Sequence, residues 1–151
     1  MDCTGPTRRQ AIASFAVLLS PAADAAVWPA DLAAAVAAFT RGAPLREGRV
    51  TLEIAELVDN GNAVPLSLSV QSPMTPADHV VAVAVFNERN PQREVALFGF
   101  GPRSARAQVS TRIRLATSQK LVAVARMNDG SCWSRTVDVI VTIAACIEGE
   151  S

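Results

Sequence analysis

The residue best suited to chemistry in this sequence is Cys146, which lies in the terminal run from Ile143 to Ser151. A cysteine thiolate is a strong nucleophile. The run follows a strand-like segment, and the ends of a chain are usually the least tightly held part of a domain. This position is more typical of a reactive thiol that large partners can reach than of a residue in the hydrophobic core. We therefore expect any function of the protein to depend on Cys146.

The other polar candidates offer little chemistry of their own. The sequence has one histidine, His79, and three scattered cysteines, whose spacing fits no zinc site. It has neither a glycine-rich phosphate loop nor a recognisable Ser/His/Asp arrangement. Arg112 and Arg114 could hold an anion, although such a pair more often forms a solvated face or meets carboxylates on a neighbouring strand. The sequence therefore predicts no metal, no cofactor and no self-sufficient enzyme.

Length and charge also limit the classes of function. A chain of 151 residues has room for one domain with a real hydrophobic core. The 14 basic and 14 acidic residues cancel. No basic surplus points to a nucleic acid, and no acidic surplus points to a solvating tail.

The N-terminus is typical of an export signal. Thr7-Arg8-Arg9-Gln10 is a twin-arginine pattern, an apolar stretch follows, and Ala23-Asp24-Ala25 fits a small-residue cleavage site. An ordinary general-secretion signal is the alternative, and both predict a periplasmic protein that loses residues 1–25. The apolar stretch is far shorter than the ~20 residues that cross a bilayer, so we expect no membrane anchor.

One helix opens the mature chain. The segment from Pro29 to Arg41 has a proline and an acidic residue in its first turn, and Gly42 follows as a stop. Leu32, Val36 and Phe39 fall on one face at helical spacing. We expect this helix to pack over the edge or end of a sheet.

From Arg49 onward the apolar residues alternate with polar ones, as in strands. Seven short strands separated by turns predict a mostly β domain, an immunoglobulin-like antiparallel β-sandwich. Asn60 and Gly61 indicate a hairpin turn. Val80 to Phe86 is apolar on both faces, which predicts a central or covered strand. The predicted strands are Val50–Leu57, Val64–Gln71, Val80–Asn87, Glu94–Phe100, Ala107–Leu115, Leu121–Met127 and Val137–Ile143.

Several runs of residues, in order along the chain, resemble the SoxY family. They are Asn60-Gly61-Asn62-Ala63-Val64-Pro65, Ser72-Pro73-Met74-Thr75, Asn90-Pro91, Val109 to Ala116 and Val122 to Ala125. SoxY is the sulfur-compound carrier of the periplasmic thiosulfate-oxidising (Sox) system. The likeness runs from the helix at Pro29 to Cys146, and the twin-arginine signal agrees with it.

The resemblance implies a substrate carrier and not an enzyme. It implies that the sandwich, residues 26–143, pairs with a SoxZ-like subunit, and that Cys146 holds the substrate on a C-terminal arm, residues 144–151. The partner enzymes it implies are a c-type cytochrome sulfur transferase, a sulfate thiohydrolase and a sulfane dehydrogenase. The arm residues around the thiol are Ala144, Ala145, Ile147, Glu148 and Gly149.

The arm departs from the family pattern, which is typically Gly-Gly-Cys-Gly-Gly. Alanine and isoleucine restrict the backbone where glycine does not, and a β-branched residue beside the thiol hinders passage into a narrow tunnel. Glu148 and Glu150 disfavour the thiolate and repel an anionic adduct. Two alternatives stay open: a divergent carrier, or an interaction module that binds a SoxZ-like partner and no longer carries substrate. A thiol redox protein is a third, disfavoured because no Cys-x-x-Cys motif is present.

Cys132 is a possible secondary thiol. Fourteen residue steps separate it from Cys146, which is about 46 Å in one continuous strand. A disulfide needs α-carbons within about 7 Å, so the chain would have to double back near Ser134 to Thr136. We therefore expect Cys132 to be a small, partly buried apolar residue. Its neighbour Trp133 is expected either to anchor a partner or to pack under the helix.

Overall fold

A computed structural model of the protein describes residues 27–143, which form one helix and nine strands in two sheets. Residues 1–26 and 144–151, which contain the predicted signal and arm, lie outside the described residues. Among the described residues, the one helix has 11 residues and is too short to cross a membrane. The elements are α1 (Ala30–Thr40), β1 (Leu45–Glu47), β2 (Val50–Ile54), β3 (Leu57–Asn60), β4 (Val64–Val70), β5 (Val80–Asn87), β6 (Glu94–Gly99), β7 (Ala107–Ile113), β8 (Gln119–Met127) and β9 (Cys132–Ile143).

The two sheets form a sandwich, as the alternation predicts. The larger sheet has the order β1-β9-β8-β5-β6, with β3 also pairing with β9, and the smaller sheet has the order β2-β4-β7. Leu66, Leu68 and Val70 of β4 are buried between the sheets, whereas Ser67 and Ser69 point outward. β1 and β3 join β9 in parallel, and the other strand pairs are antiparallel.

The helix covers the outer face of the larger sheet. Leu32 and Val36 are buried there against Phe86 of β5, and the Phe39 ring meets the Phe86 ring edge-on at 5.9 Å between centroids. This confirms the predicted helical face. The predicted position over the edge or end of a sheet is wrong, because the helix packs on the central strands β5 and β8. β5 is therefore covered on both sides, by α1 and by the smaller sheet, which explains why Val80 to Phe86 is apolar throughout.

Polar contacts fix both ends of the helix on the sheet. Asp31 in the first turn pairs with Arg93, and Arg126 of β8 donates to the Phe39 carbonyl at 2.9 Å. The backbone turns left-handed at Arg41 (φ 56°), one residue before Gly42 (φ 79°). The helix therefore ends at Thr40, one residue before the predicted last residue Arg41.

Three features of the predicted strands are wrong. The predicted strand Val50–Leu57 is two strands, because β2 pairs with β4 in the smaller sheet and β3 pairs with β9 in the larger one. Consequently Asn60 and Gly61 do not form a hairpin turn but carry the chain from one sheet to the other. β9 begins at Cys132, five residues before the predicted start, because its first half pairs with β8 and β1.

Candidate functional site

The last described strand ends three residues before Cys146. The carbonyl of Ile143 accepts a hydrogen bond from the Gly61 N–H at 2.9 Å, and the Thr142 hydroxyl donates to the Asp59 carbonyl at 2.9 Å. Cys146 and the neighbouring arm residues, from Ala144 to Gly149, lie outside the described residues. The base of the predicted arm is therefore tied to the segment between β3 and β4.

A serine holds the same end of β9 from the other side. The Ser118 hydroxyl accepts from the Val141 N–H at 2.8 Å and also contacts the Val141 carbonyl at 3.4 Å. Hydrogen bonds from both neighbours thus fix the last three residues of β9. Three residues beyond Ile143 can span at most about 11 Å, so the α-carbon of Cys146 must stay within about that distance of this fixed point.

Exposed apolar side chains surround the arm base. Leu57 and Ile140 are register partners on the same sheet face, with relative exposures of 61% and 58%, and Ile143 is 62% exposed. Large apolar side chains exposed together are typical of contact surfaces. Leu57 and Ile140 therefore form a small exposed apolar surface on one face, and Ile143 is exposed at the strand end.

Cys132 lies at the opposite end of β9 and is fully buried under the helix. Its side chain packs with Leu32 and Val36, and its sulfur lies 3.8 Å from the Gly130 carbonyl oxygen. Burial raises the pKa of the Cys132 thiol, against a lowering by the Arg126 charge. A buried, protonated thiol is a poor nucleophile. Cys132 is thus more deeply buried than the partial burial expected from the sequence.

Trp133 points to the other face of β9. It packs against the core between the sheets, with the guanidinium carbons of Arg46 and Arg49 at 5.8 and 5.1 Å from its ring centroid. The prediction that Trp133 packs under the helix is wrong, because strand alternation gives that place to Cys132. Within the described part of the chain, the buried Trp133 Nε1 has no hydrogen-bond partner.

His79 forms hydrogen bonds within and beside the loop that precedes β5. Its Nδ1 lies 2.9 Å from the Thr75 carbonyl, and its backbone N–H donates to Asn128 Oδ1 at 3.0 Å. These contacts agree with a surface capping role. Among residues 27–143, no group of three His, Cys, Asp or Glu side chains is arranged to hold a metal ion.

Arg112 lies exposed on the outer face of the smaller sheet, and Arg114 is exposed directly after the end of β7, so the two do not share a strand face as the sequence predicted. Neither belongs to the three salt bridges formed within residues 27–143. Together with Asn90, Glu94 and their neighbours they line an open cleft of about 360 Å³ between β7 and the start of β6. The structure thus places an unpaired basic pair at the border of a concave surface.

Sequence reasoning missed the residues that organise this end of the sandwich. Asn90, Ser118 and Gly61 each link elements far apart in sequence. The Asn90-Pro91 pair carries a turn signal, but no local pattern indicates a partner more than twenty residues away. Only the packing of the two sheets reveals these links.

Solved structures share the fold at low sequence identity. The superoxide reductase (neelaredoxin) of Ignicoccus hospitalis superposes with a TM-score of 0.55 at 20% identity, covering 62% of this chain and 80% of its own. The superoxide reductase of Nanoarchaeum equitans gives a TM-score of 0.53 at 14% identity and covers 64% of this chain and 99% of its own. Similarity at this level establishes a common fold and nothing more. No curated protein matches the chain in sequence.

A family model identifies the chain more closely. The model of the sulfur oxidation protein SoxY matches residues 35–146, from the middle of α1 to the C-terminal cysteine. This range includes the whole sandwich and the three residues after β9. The chain therefore belongs to the SoxY family of sulfur oxidation proteins.

Proposed function

We propose that this protein is a periplasmic carrier that holds sulfur intermediates covalently on Cys146 and presents them to partner enzymes. The observation that carries the proposal is the SoxY match, which extends to residue 146 and so includes the thiol. The geometry supports it, since β9 is fixed at Ile143 and the next residues lead directly to Cys146. Cys132 is buried and is a poor candidate for the same role.

The proposed cycle has a simple chemical balance. Thiosulfate and the Cys146 thiolate join through a new sulfur–sulfur bond, and two electrons pass to a c-type cytochrome. Hydrolysis then breaks the outer sulfur–sulfur bond: water supplies oxygen to the terminal sulfur, sulfate leaves with release of two protons, and a persulfide stays on Cys146. A sulfane dehydrogenase would oxidise that remaining sulfur. The carrier supplies the nucleophile and the reach, and its partners supply the catalysis.

The partners and the compartment are part of the same proposal. A SoxZ-like subunit would pair with the sandwich, and export through the twin-arginine route would deliver the protein to the periplasm. The exposed Leu57, Ile140 and Ile143 support an interaction near the arm base, since a partner there would cover apolar surface.

An interaction module is the second candidate. The arm sequence favours it, because Ala145 and Ile147 flank the thiol where the family pattern has glycine. In that case the sandwich would still pair with a SoxZ-like subunit, while Cys146 would carry nothing.

Two matched cysteine variants separate the candidates. In cells oxidising thiosulfate, Cys146→Ser should abolish thiosulfate-dependent oxygen uptake, whereas Cys132→Ser should retain it if the variant folds. Equal uptake with Cys146→Ser and the unaltered protein would favour the interaction module. Circular dichroism of both purified variants checks that neither result reflects misfolding.

A further inference from the structure

The cleft beside β7 has the charge and shape to hold a small anion. Arg112 is the second-last residue of β7, Arg114 directly follows the strand end at Ile113, and both exposed side chains line the cleft. Glu94 is the acidic residue among the lining residues, so the lining carries one net positive charge. Guanidinium groups donate paired hydrogen bonds to tetrahedral oxyanions.

A partly buried amide network holds the Arg114 backbone in place. Asn90 Nδ2 donates to the Arg114 carbonyl at 2.7 Å, while Asn90 Oδ1 accepts from the Ala116 N–H at 3.0 Å and from Gln119 Nε2 at 2.8 Å. Arg93 also donates to the Asn90 carbonyl at 2.9 Å. The loop and the strand end that line the cleft are thus fixed to each other before any ligand binds.

Two backbone hydrogen bonds connect the cleft to the arm base. Gly61 donates from its N–H to the Ile143 carbonyl at 2.9 Å and accepts from the Leu115 N–H at 2.8 Å. Leu115 directly follows Arg114. Two hydrogen-bonded backbone spacings of about 4.8 Å each put the backbone of the Arg114–Leu115 segment about 10 Å from Ile143.

The lengths match. The α-carbon of Cys146 is limited to about 11 Å from that of Ile143 by the three intervening peptide units, and its side chain extends beyond that. An arginine side chain extends several ångströms from its own backbone, so the arginine pair and a group attached to Cys146 can meet. The arm base and the cleft are therefore at the same end of the sandwich and within one another's reach.

We propose that the Arg112–Arg114 cleft binds the sulfur oxyanion that Cys146 carries, and so holds the loaded arm between visits to partner enzymes. This inference rests on the proposed carrier function and adds a binding site on the sandwich itself. The arginines offset the repulsion between the anionic group and Glu148 and Glu150. A neutral thiol has nothing to bind there, so the docked state is specific to the loaded protein.

The test loads the full mature chain with tetrathionate. The Cys146 thiolate attacks a central sulfur of tetrathionate, a cysteine-bound thiosulfonate forms, and thiosulfate leaves with the electron pair of the broken sulfur–sulfur bond. Intact mass confirms a single addition. The side-chain Nε–H signals of Arg112 and Arg114 are then followed by NMR, with iodoacetamide-treated protein as the neutral-adduct control.

Loading should shift both arginine signals at low salt, the shifts should shrink in about 1 M salt, and the neutral adduct should leave both signals in place. Arg112→Gln with Arg114→Gln should speed removal of the adduct by dithiothreitol about 3- to 10-fold, as expected for the loss of two exposed ion pairs. Arg103→Gln, an exposed arginine near the opposite end of β7, is the matched control and should leave this rate unchanged.

Three results would overturn the assignment. The first is an equal shift with the neutral adduct. The second is a response of the arginines to free sulfate or thiosulfate in Cys146→Ser but not to the attached group. The third is a shift of the arginine signals when Glu148→Gln and Glu150→Gln are introduced into the unloaded protein, together with no shift when the protein is loaded. Each leaves the carrier function intact, since adducts found on Cys146 in cells do not depend on the cleft.

Discussion

Cys132 and Ile143 are the two ends of one uninterrupted strand of twelve residues. Eleven steps of about 3.3 Å place their α-carbons about 36 Å apart. Cys146 can move at most about 11 Å from Ile143, which leaves the two cysteines far beyond the ~7 Å that a disulfide requires. The doubling back at Ser134 to Thr136, on which an internal bridge depends, does not occur, because those residues pair with β8.

Oxidation should therefore link two molecules and not two cysteines of one molecule. Air or diamide should convert the mature protein into a disulfide-linked dimer on a non-reducing gel. Cys146→Ser should stay monomeric, and Cys132→Ser should dimerise like the unaltered protein. A monomer that loses both free thiols on oxidation would contradict the continuity of β9.

The burial of the Cys132 thiol should also make the free energy of unfolding depend on pH. Burial raises the pKa of Cys132, so folding favours the protonated thiol. This contribution is complete below the unfolded pKa of about 8.5 and is lost as the pH rises toward the higher folded pKa. In a Cys146→Ser background, urea titrations should show a decline in the free energy of unfolding above about pH 8.5. Cys132→Ala should lack that part of the decline, and an identical slope in both proteins would contradict the burial.

Asn90 should matter for stability more than its surface loop suggests. Asn90→Ala leaves the Ala116 N–H without its acceptor, removes one of the two acceptors of the Gln119 amide and removes the donor to the Arg114 carbonyl. We expect a loss of about 1–3 kcal/mol in the free energy of unfolding, since partly buried polar groups would lose their partners. Gln108→Ala, an exposed change on β7, should cost less than about 0.5 kcal/mol. Equal urea midpoints for the two variants would mean that the amide network contributes nothing.

Restoring glycine to the arm should speed the delivery of substrate. Ala145→Gly with Ile147→Gly removes the β-carbon on either side of Cys146 and gives the backbone more freedom. With partner enzymes that accept glycine-flanked arms, we expect the release of sulfate per loaded carrier to rise several-fold. Glu150→Gln, which changes charge but not backbone freedom, is the control. An unchanged or slower rate would mean that the native arm suits different partners.

The fold followed from the sequence wherever a strand pairs with near neighbours and alternates cleanly, as β4 does from Val64 to Val70. It did not follow at β1 and β3, because their parallel partners on β9 lie more than eighty residues away. Alternation predicts that Cys132 and Trp133 point in opposite directions, but not which of them meets the helix. That choice depends on where α1 crosses the sheet, which the sequence does not encode locally.

Cys146 as the reactive residue stays a prediction, because it lies outside the described residues, and the surroundings of the arm base could not be predicted from the sequence. Cys146 and the Arg112–Arg114 pair stand out by type and position. The link from Ile143 through Gly61 toward Arg114 is made of backbone groups, whose partners leave no mark on residue identity. Residues that bring the arm base and the cleft together were therefore visible only in the folded chain.

Peptide mapping of protein isolated from cells growing on thiosulfate tests the central claim most directly. Cleavage after Arg126 and Arg135 puts Cys132 on the peptide 127–135 and Cys146 on the peptide 136–151. Without reduction, mass spectrometry should find sulfur-containing additions on 136–151 that dithiothreitol removes, and none on 127–135. An unmodified 136–151 peptide throughout growth, or equal additions on both peptides, would contradict the account.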